Sequence, residues 1–189
     1  MPEPRQVRLL TAKDMGLILD RMAYEILERS GGSNRLALIG IRTRGDILAQ
    51  RLQERIGRAA GREVPLGVLD ITLYRDDLDA LGSKLHVGRT RIDFELRERQ
   101  VVLVDDVLYT GRTVRAALDE VLDLGRPSRI ALAVLIDRGH RELPIAPDFV
   151  GKVVATARED SVQVRVREVD GVDETLLYTS AGARRARRR

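Results

Sequence analysis

Apolar positions along this chain alternate between helical and strand spacing from one end to the other. Met15, Ile18, Leu19, Met22, Ile26 and Leu27 recur every three or four residues, which predicts a helix with one buried face. Thr11-Ala-Lys-Asp14 reads as a capping box in front of it, and Gly31-Gly32 ends the pattern. Leu36 to Ile41 is a short apolar run of strand length. Ile47, Leu48, Leu52 and Ile56 then mark a second helix, which Gly61 follows. Val64 to Leu73 is again strand-like, whereas Tyr74 to Arg91 is polar, contains glycine and has no apolar period, as in a long loop. Val101 to Val104 returns to strand character. Val114, Ala117, Leu118, Val121 and Leu122 fall on one face of a third helix, stopped by Gly125-Arg-Pro127. Arg129 to Ile136 reads as a buried strand, and Val162 to Val166 as a late edge strand. Strands that alternate with helices predict an α/β fold with a mostly parallel sheet covered on both faces.

The chemistry concentrates where the third strand pattern meets the third helix, in VVLVDDVLYTGRT from Val101 to Thr113. In an open α/β sheet the carboxyl end of a strand faces the ligand crevice, and the free N–H groups of the next helix bind anions. Asp105 and Asp106 are placed to accept hydrogen bonds from vicinal hydroxyls, while Thr110, Gly111, Arg112 and Thr113 hold a phosphate. A ribose 5-phosphate carries both groups. A second constellation, Gly40-Ile-Arg-Thr-Arg-Gly45, ends the first strand pattern; its glycines permit close backbone approach, and Arg42 and Arg44 place cations at the crevice, which suits pyrophosphate.

With 189 residues and 43% hydrophobic content, the chain is long enough for one well-cored domain. It has no cysteine, which excludes disulfides and thiolate catalysis. Neither a membrane-length apolar run nor a signal-peptide core is seen, so a cytoplasmic enzyme is expected. The net charge is +4, but five arginines lie in Arg184 to Arg189, so the rest is close to neutral. The expected organisation is a single unit over 1–180 and a basic tail, 181–189. The tail reads as solvated and unordered, with sequence-independent phosphate contacts as the alternative.

The Val101 to Thr113 segment resembles the phosphoribosyl pyrophosphate (PRPP) motif of type I phosphoribosyltransferases. That resemblance implies their fold, with a flexible loop and a small base-covering hood. It implies ribose contacts from Asp105 and Asp106, and a 5-phosphate cradle running through Val104, Val107, Leu108, Tyr109, Thr110, Gly111, Arg112 and Thr113. Arg42, Thr43 and Arg44 would bind pyrophosphate in a loop that often holds a non-proline cis peptide. Asp70-Ile-Thr-Leu-Tyr-Arg-Asp-Asp77 would open the flexible loop, with Arg75 meeting the pyrophosphate; Asp76 and Asp77 would orient arginines or keep the loop soluble. Mg²⁺ is expected to arrive with PRPP, near Asp105 and Asp106.

With Asp137-Arg-Gly-His-Arg-Glu-Leu-Pro-Ile145 added, the chain from about residue 10 to residue 170 resembles the bacterial pyrimidine-operon attenuation regulators that double as uracil phosphoribosyltransferases. The resemblance implies transfer of ribose 5-phosphate from PRPP to uracil, giving uridine monophosphate (UMP) and pyrophosphate. UMP or UTP in the same pocket would favour binding of pyrimidine-operon leader mRNA. It assigns Asp137, Arg138 and Ile145 to the uracil side, within hood segments around 137–157 and the C-terminal strands, and a homodimer or larger assembly. His140 reads as structural. The expected RNA face carries Arg21, Arg141, Lys152 and Arg158. Asp20, Tyr24 and Ala146 depart from the family's basic pattern, which leaves open a salvage enzyme without RNA control, or an RNA regulator with weak catalysis. A purine phosphoribosyltransferase is the more distant alternative.

Overall fold

The computed structural model describes residues 5–71 and 89–179. Leu36–Ile41 (β2), Leu66–Leu69 (β3), Gln100–Leu108 (β4), Arg129–Asp137 (β5) and Phe149–Val153 (β6) form a parallel sheet in the order β3-β2-β4-β5-β6. Arg5–Leu10 (β1), Ser161–Arg165 (β7) and Glu174–Thr179 (β8) form a second, antiparallel sheet in the order β1-β8-β7. The helices are Ala12–Arg29 (α1), Gly45–Ala60 (α2), Arg112–Leu124 (α3) and the short turn Arg167–Asp170 (α4).

Two apolar cores sandwich the parallel sheet, and strand alternation sorts residues between them. Leu36, Leu38, Val102, Val104, Ala131, Ala133 and Leu135 join Met15, Leu19, Met22, Leu48 and Leu52 beneath α1 and α2. Their neighbours Ile39, Ile41, Val101, Leu103, Leu132 and Val134 join Val114, Ala117 and Val121 beneath α3. Each fully buried Val, Leu, Ile or Met side chain among them contributes about 1.5–3 kcal/mol of transfer free energy. The pattern therefore fixes both register and facing, since a slip of one residue would exchange the two cores.

The first helix follows its sequence signals. The Thr11 Oγ1 accepts the Asp14 N–H at 3.2 Å, and Asp14 accepts the Thr11 N–H at 2.9 Å. Gly61 closes α2 at φ 67°, and Gly125 follows α3.

Some expectations need correction. Strand β3 is only Leu66–Leu69, because Pro65 lacks a donor N–H and Val64 is buried in irregular backbone; residues 72–73 lie outside the described segments. Leu122 is exposed, and Ala116 and Glu120 complete the buried face of α3 instead. β7 is an edge strand, as read, but of the small sheet. The long loop expected over 74–91 lies mostly outside the described residues. At its near end Arg91 pairs with Val68 through two 2.8 Å backbone bonds.

Candidate active site

Chain order places a topological switch point between β2 and β4. From β2 the chain moves outward to β3, then crosses back to β4 and continues to β5 and β6. The crevice at such a point, outside the carboxyl ends of the strands, is where open α/β sheets bind ligands. Both sequence constellations converge there.

The 40–45 loop is shaped by its glycines. A Cβ on Gly45 would stand 2.5 Å from the Val104 carbonyl oxygen and 3.1 Å from the Asp105 Cα, so α2 starts pressed against β4 directly beside the acid pair. At Gly40 a Cβ would lie 2.4 Å from the Asp46 Cα. The Arg42–Thr43 peptide is cis, and Arg44 caps α2 at φ 77°. The Arg42 Nε lies 3.5 Å from Asp46 Oδ2, and Arg44 forms a bidentate pair with Asp170.

Strand β4 extends through the acid pair to Leu108. Asp105 is buried and its carboxylate accepts the Asp106 N–H at 2.9 Å; half-buried Asp106 accepts the Val107 N–H at 2.8 Å. Burial pushes the Asp106 carboxyl up to about 6, against the opposing pull of the Val107 N–H and the Arg44 charge. A cleft of about 410 Å³ opens beside it, lined by Asp105 and Val107 to Val114 together with Glu142. Gly111 caps α3 at φ 94°. Neither α2 nor α3 has a side-chain N-cap, whereas α1 has a full capping box. Two helix N-termini whose N-cap residues, Arg44 and Gly111, make no side-chain cap thus flank one carboxylate pair, and helix N-termini favour anions.

Glu142 was not singled out by the sequence reading. It accepts the Arg112 Nε–H at 2.9 Å and also pairs with Arg158, while the Glu142 and Leu143 N–H groups donate to the Thr110 carbonyl at 2.9 and 3.2 Å. This ties segment 137–145 along the 110–112 loop. A lone acid in a polar loop carries no helical or strand signature that would mark it. Asp46 and Asp170, which hold the two loop arginines, went unnoticed for the same reason.

Segment 137–145 mostly holds itself in place. Asp137, ending β5, accepts the Gly139 N–H at 3.0 Å and pairs with Arg141 at 2.7 Å. The buried Arg138 donates to Thr156, Ala157 and Arg158, and its guanidinium lies 4.1 Å from the Tyr109 ring centre; burial lowers its pKa. Ile145 packs against Gly111. His140, at φ 63°, bonds the Thr156 carbonyl through Nε2 at 2.9 Å.

The four expected RNA-facing cations are all engaged. Arg21 donates to the Val150 and Gly151 carbonyls at 2.8 Å, and Lys152 to the Leu9 carbonyl at 3.1 Å. Arg158 pairs with Glu142. Arg141, 22% exposed, donates to the Ile145, Tyr109 and Gly139 carbonyls besides its pair with Asp137. Asp20 pairs with Arg55 at 2.7 Å, and Tyr24 is exposed. Arg75, Asp76, Asp77 and Arg184 to Arg189 lie outside the described residues.

Residues 6–168 match the phosphoribosyl transferase domain, and the chain belongs to that family. Within it, the chain is 57% identical over 178 residues to the "Bifunctional protein PyrR" of Thermus aquaticus, covering 94% of this chain and 98% of that protein. The protein of the same name from Deinococcus deserti is 54% identical over 170 residues, covering 90% and 93%. Among solved structures, a hypoxanthine phosphoribosyltransferase from Staphylococcus aureus superposes with a TM-score of 0.67 at 17% identity, covering 94% of each chain. The Trypanosoma cruzi enzyme in complex with its product IMP gives 0.69 at 15%, covering 100% of this chain and 99% of that one. These two likenesses establish the fold. Among the described residues, no helix is long and apolar enough to cross a membrane.

Proposed function

We propose that this chain is a uracil phosphoribosyltransferase that also senses UMP to regulate a pyrimidine operon through its leader mRNA. The observation that carries the reading is the acid pair set between two uncapped helix N-termini at the switch point. The name shared by the PyrR relatives supports the coupling of two activities in one protein.

Asp105 and Asp106 accept the ribose hydroxyls. The N–H groups of residues 111–113, with the Thr110 and Thr113 hydroxyls, take the 5-phosphate. Arg42, Thr43 and Arg44, with the start of α2, take the pyrophosphate, and Arg75 joins them from outside the described residues. Fixing both phosphates aligns the C1–O bond for cleavage and stabilises the charge that develops on the departing pyrophosphate. Uracil N1, held beside Asp137, Arg138 and Ile145, attacks the oxocarbenium-like C1. The bond to pyrophosphate breaks as the bond to N1 forms, and the N1 proton leaves to the departing pyrophosphate or to water.

The oxygen donors of Asp105 and Asp106 fit Mg²⁺ that arrives with PRPP. Among the described residues no group of three or more His, Cys, Asp or Glu side chains is arranged to hold a metal ion; Mg²⁺ is a cation that keeps waters and phosphate oxygens as ligands. When bound, Mg²⁺ supplies charge neutralisation on phosphate oxygens.

Arg141 supports a second reading, a salvage enzyme that has lost RNA control, because its guanidinium is committed to the 137–145 loop. One preparation of the full chain separates the two. Its turnover is measured with PRPP and uracil, hypoxanthine or guanine, and its affinity for pyrimidine leader RNA is measured at physiological salt with and without UMP. The proposal expects uracil turnover and RNA binding that tightens with UMP. Uracil turnover with RNA binding indifferent to UMP would establish the salvage enzyme, and turnover of purines alone would overturn both readings.

A further inference from the structure

The short helix α4 joins β7 to β8 and brings three carboxylates against α2. Asp170 Oδ1 and Oδ2 accept from Arg44 Nη2 and Nε at 2.8 and 3.0 Å. Asp170 is itself anchored, since Oδ2 also accepts the Val166 N–H at 2.9 Å. Two turns further along α2, Arg51 donates to Glu168 at 2.6 Å and to Asp173 at 2.7 Å, and Asp173 accepts the Arg167 N–H at 2.8 Å. The Arg51 pairs alone fasten the α4 turn to the body of α2. The Arg44 pair adds a bond at a different kind of position, the residue that caps α2 beside the acid pair.

The two groups sharpen each other's charge. Arg44 has its pKa raised chiefly by the hydrogen bonds to Asp170, and Asp170 has its pKa lowered chiefly by those from Arg44. The Arg44 charge is also felt at Asp106. A guanidinium has five N–H donors, and this bidentate contact uses one on Nε and one on Nη2. Three remain for an anion. A long side chain fixed on one edge loses less freedom when its other edge binds, which is how pre-organisation raises affinity.

Resting on the reading of the 42–44 loop as a pyrophosphate site, we infer that Asp170 is a positioning residue that holds the Arg44 guanidinium ready for the diphosphate of PRPP. It does so from the small antiparallel sheet. Specificity for the diphosphate end of the substrate is thereby coupled to the sheet that would cover the base.

The test compares wild type, Asp170→Asn, Asp170→Glu, Arg44→Gln and the double variant Asp170→Asn/Arg44→Gln as full chains with Mg²⁺ present. Calorimetry reads pyrophosphate binding, with ribose 5-phosphate as the internal control, and steady-state kinetics separates KM for PRPP from kcat. Asp170→Asn is expected to weaken pyrophosphate binding and raise KM for PRPP about tenfold, equivalent to about 1.4 kcal/mol. Ribose 5-phosphate affinity and KM for uracil should hold. Asp170→Glu, which keeps the charge one methylene further out, should recover part of the loss, and Asp170→Asn should add nothing in the Arg44→Gln background. Unchanged pyrophosphate affinity in Asp170→Asn would overturn the inference. So would tighter binding, which would make Asp170 a competitor for Arg44, or an equal loss of ribose 5-phosphate, which would mark general damage. If Asp170→Asn fails to fold, Asp170→Glu carries the test: a selective partial loss of pyrophosphate supports the role, and wild-type affinity overturns it. Wild-type protein that binds pyrophosphate but turns over no uracil would overturn the proposed function and leave Asp170 standing. Wild-type protein that binds no pyrophosphate would remove the loop assignment and this inference with it.

Discussion

Asp106 sits where the proposed ribose recognition and burial pull in opposite directions. Its carboxyl is pushed up to about 6 from an ordinary value of 3.8, chiefly by loss of water. Between those two values the folded protein holds a proton that the unfolded chain releases. The stabilisation from this group is therefore complete below 3.8 and is lost as pH rises through about 6. Binding runs the other way, because the ionised form accepts hydroxyl hydrogen bonds. PRPP affinity at fixed Mg²⁺ should fall as pH drops from about 7 to about 5, and fall less in Asp106→Asn. The difference between the two proteins separates Asp106 from the ligand's own phosphates, which titrate near 6. Parallel pH profiles would show that this carboxyl does not meet the ligand as a charged acceptor.

Among the elements, two helix starts solve the same problem differently. α1 satisfies its first N–H groups with Thr11 and Asp14 and spends them on stability, whereas α2 has no side-chain cap and packs through Gly45 against β4. Thr11→Ala should cost about 1 kcal/mol and leave turnover unchanged. Gly45→Ala forces a methyl to within 2.5 Å of the Val104 carbonyl, so it should cost about 1–3 kcal/mol and also impair PRPP binding, since relief must displace α2 or the acid pair. Denaturant unfolding beside PRPP titration checks both. A Gly45→Ala protein with native affinity would mean that the close approach serves packing alone. The main helices and strands β2 to β5 were legible because each carries one apolar face or run at a fixed period. β1, β6, β8 and α4 were not, for Arg5–Leu10 mixes polar and apolar residues without strict alternation, Arg167–Asp170 is largely polar, and β6 and β8 end in exposed or half-exposed residues. Their order comes from pairing with distant strands and from the Arg51 and Arg44 ion pairs, which no local pattern announces. Leu122 failed for a related reason: it sits at the margin of the helical stripe, where only the position of the sheet decides burial.

For the whole molecule, the switch point matters more than any single motif. Chain reversal between β2 and β4 brings a strand-end acid pair and the helix start that follows it together with two loop arginines and a helix start about sixty residues earlier in sequence, and the small sheet reaches the same crevice through Asp170. The PRPP motif and the 40–45 loop could be read from spacing because strand, acid pair, phosphate loop and helix follow one another directly. Glu142 and Asp170 could not, since each joins the site only once segments 137–145 and 167–173 have folded back onto it. The expected RNA cations each make hydrogen bonds or ion pairs within the fold, contacts that residue type alone does not reveal.

The most direct measurement is turnover of uracil and PRPP by the double variant Asp105→Asn/Asp106→Asn, with folding followed by circular dichroism. The account predicts a loss of at least about a hundredfold, roughly 2.7 kcal/mol of transition-state stabilisation, in a protein that keeps the wild-type fold. Near-native turnover in the folded double variant would contradict it, because no ribose site could then lie at the end of β4.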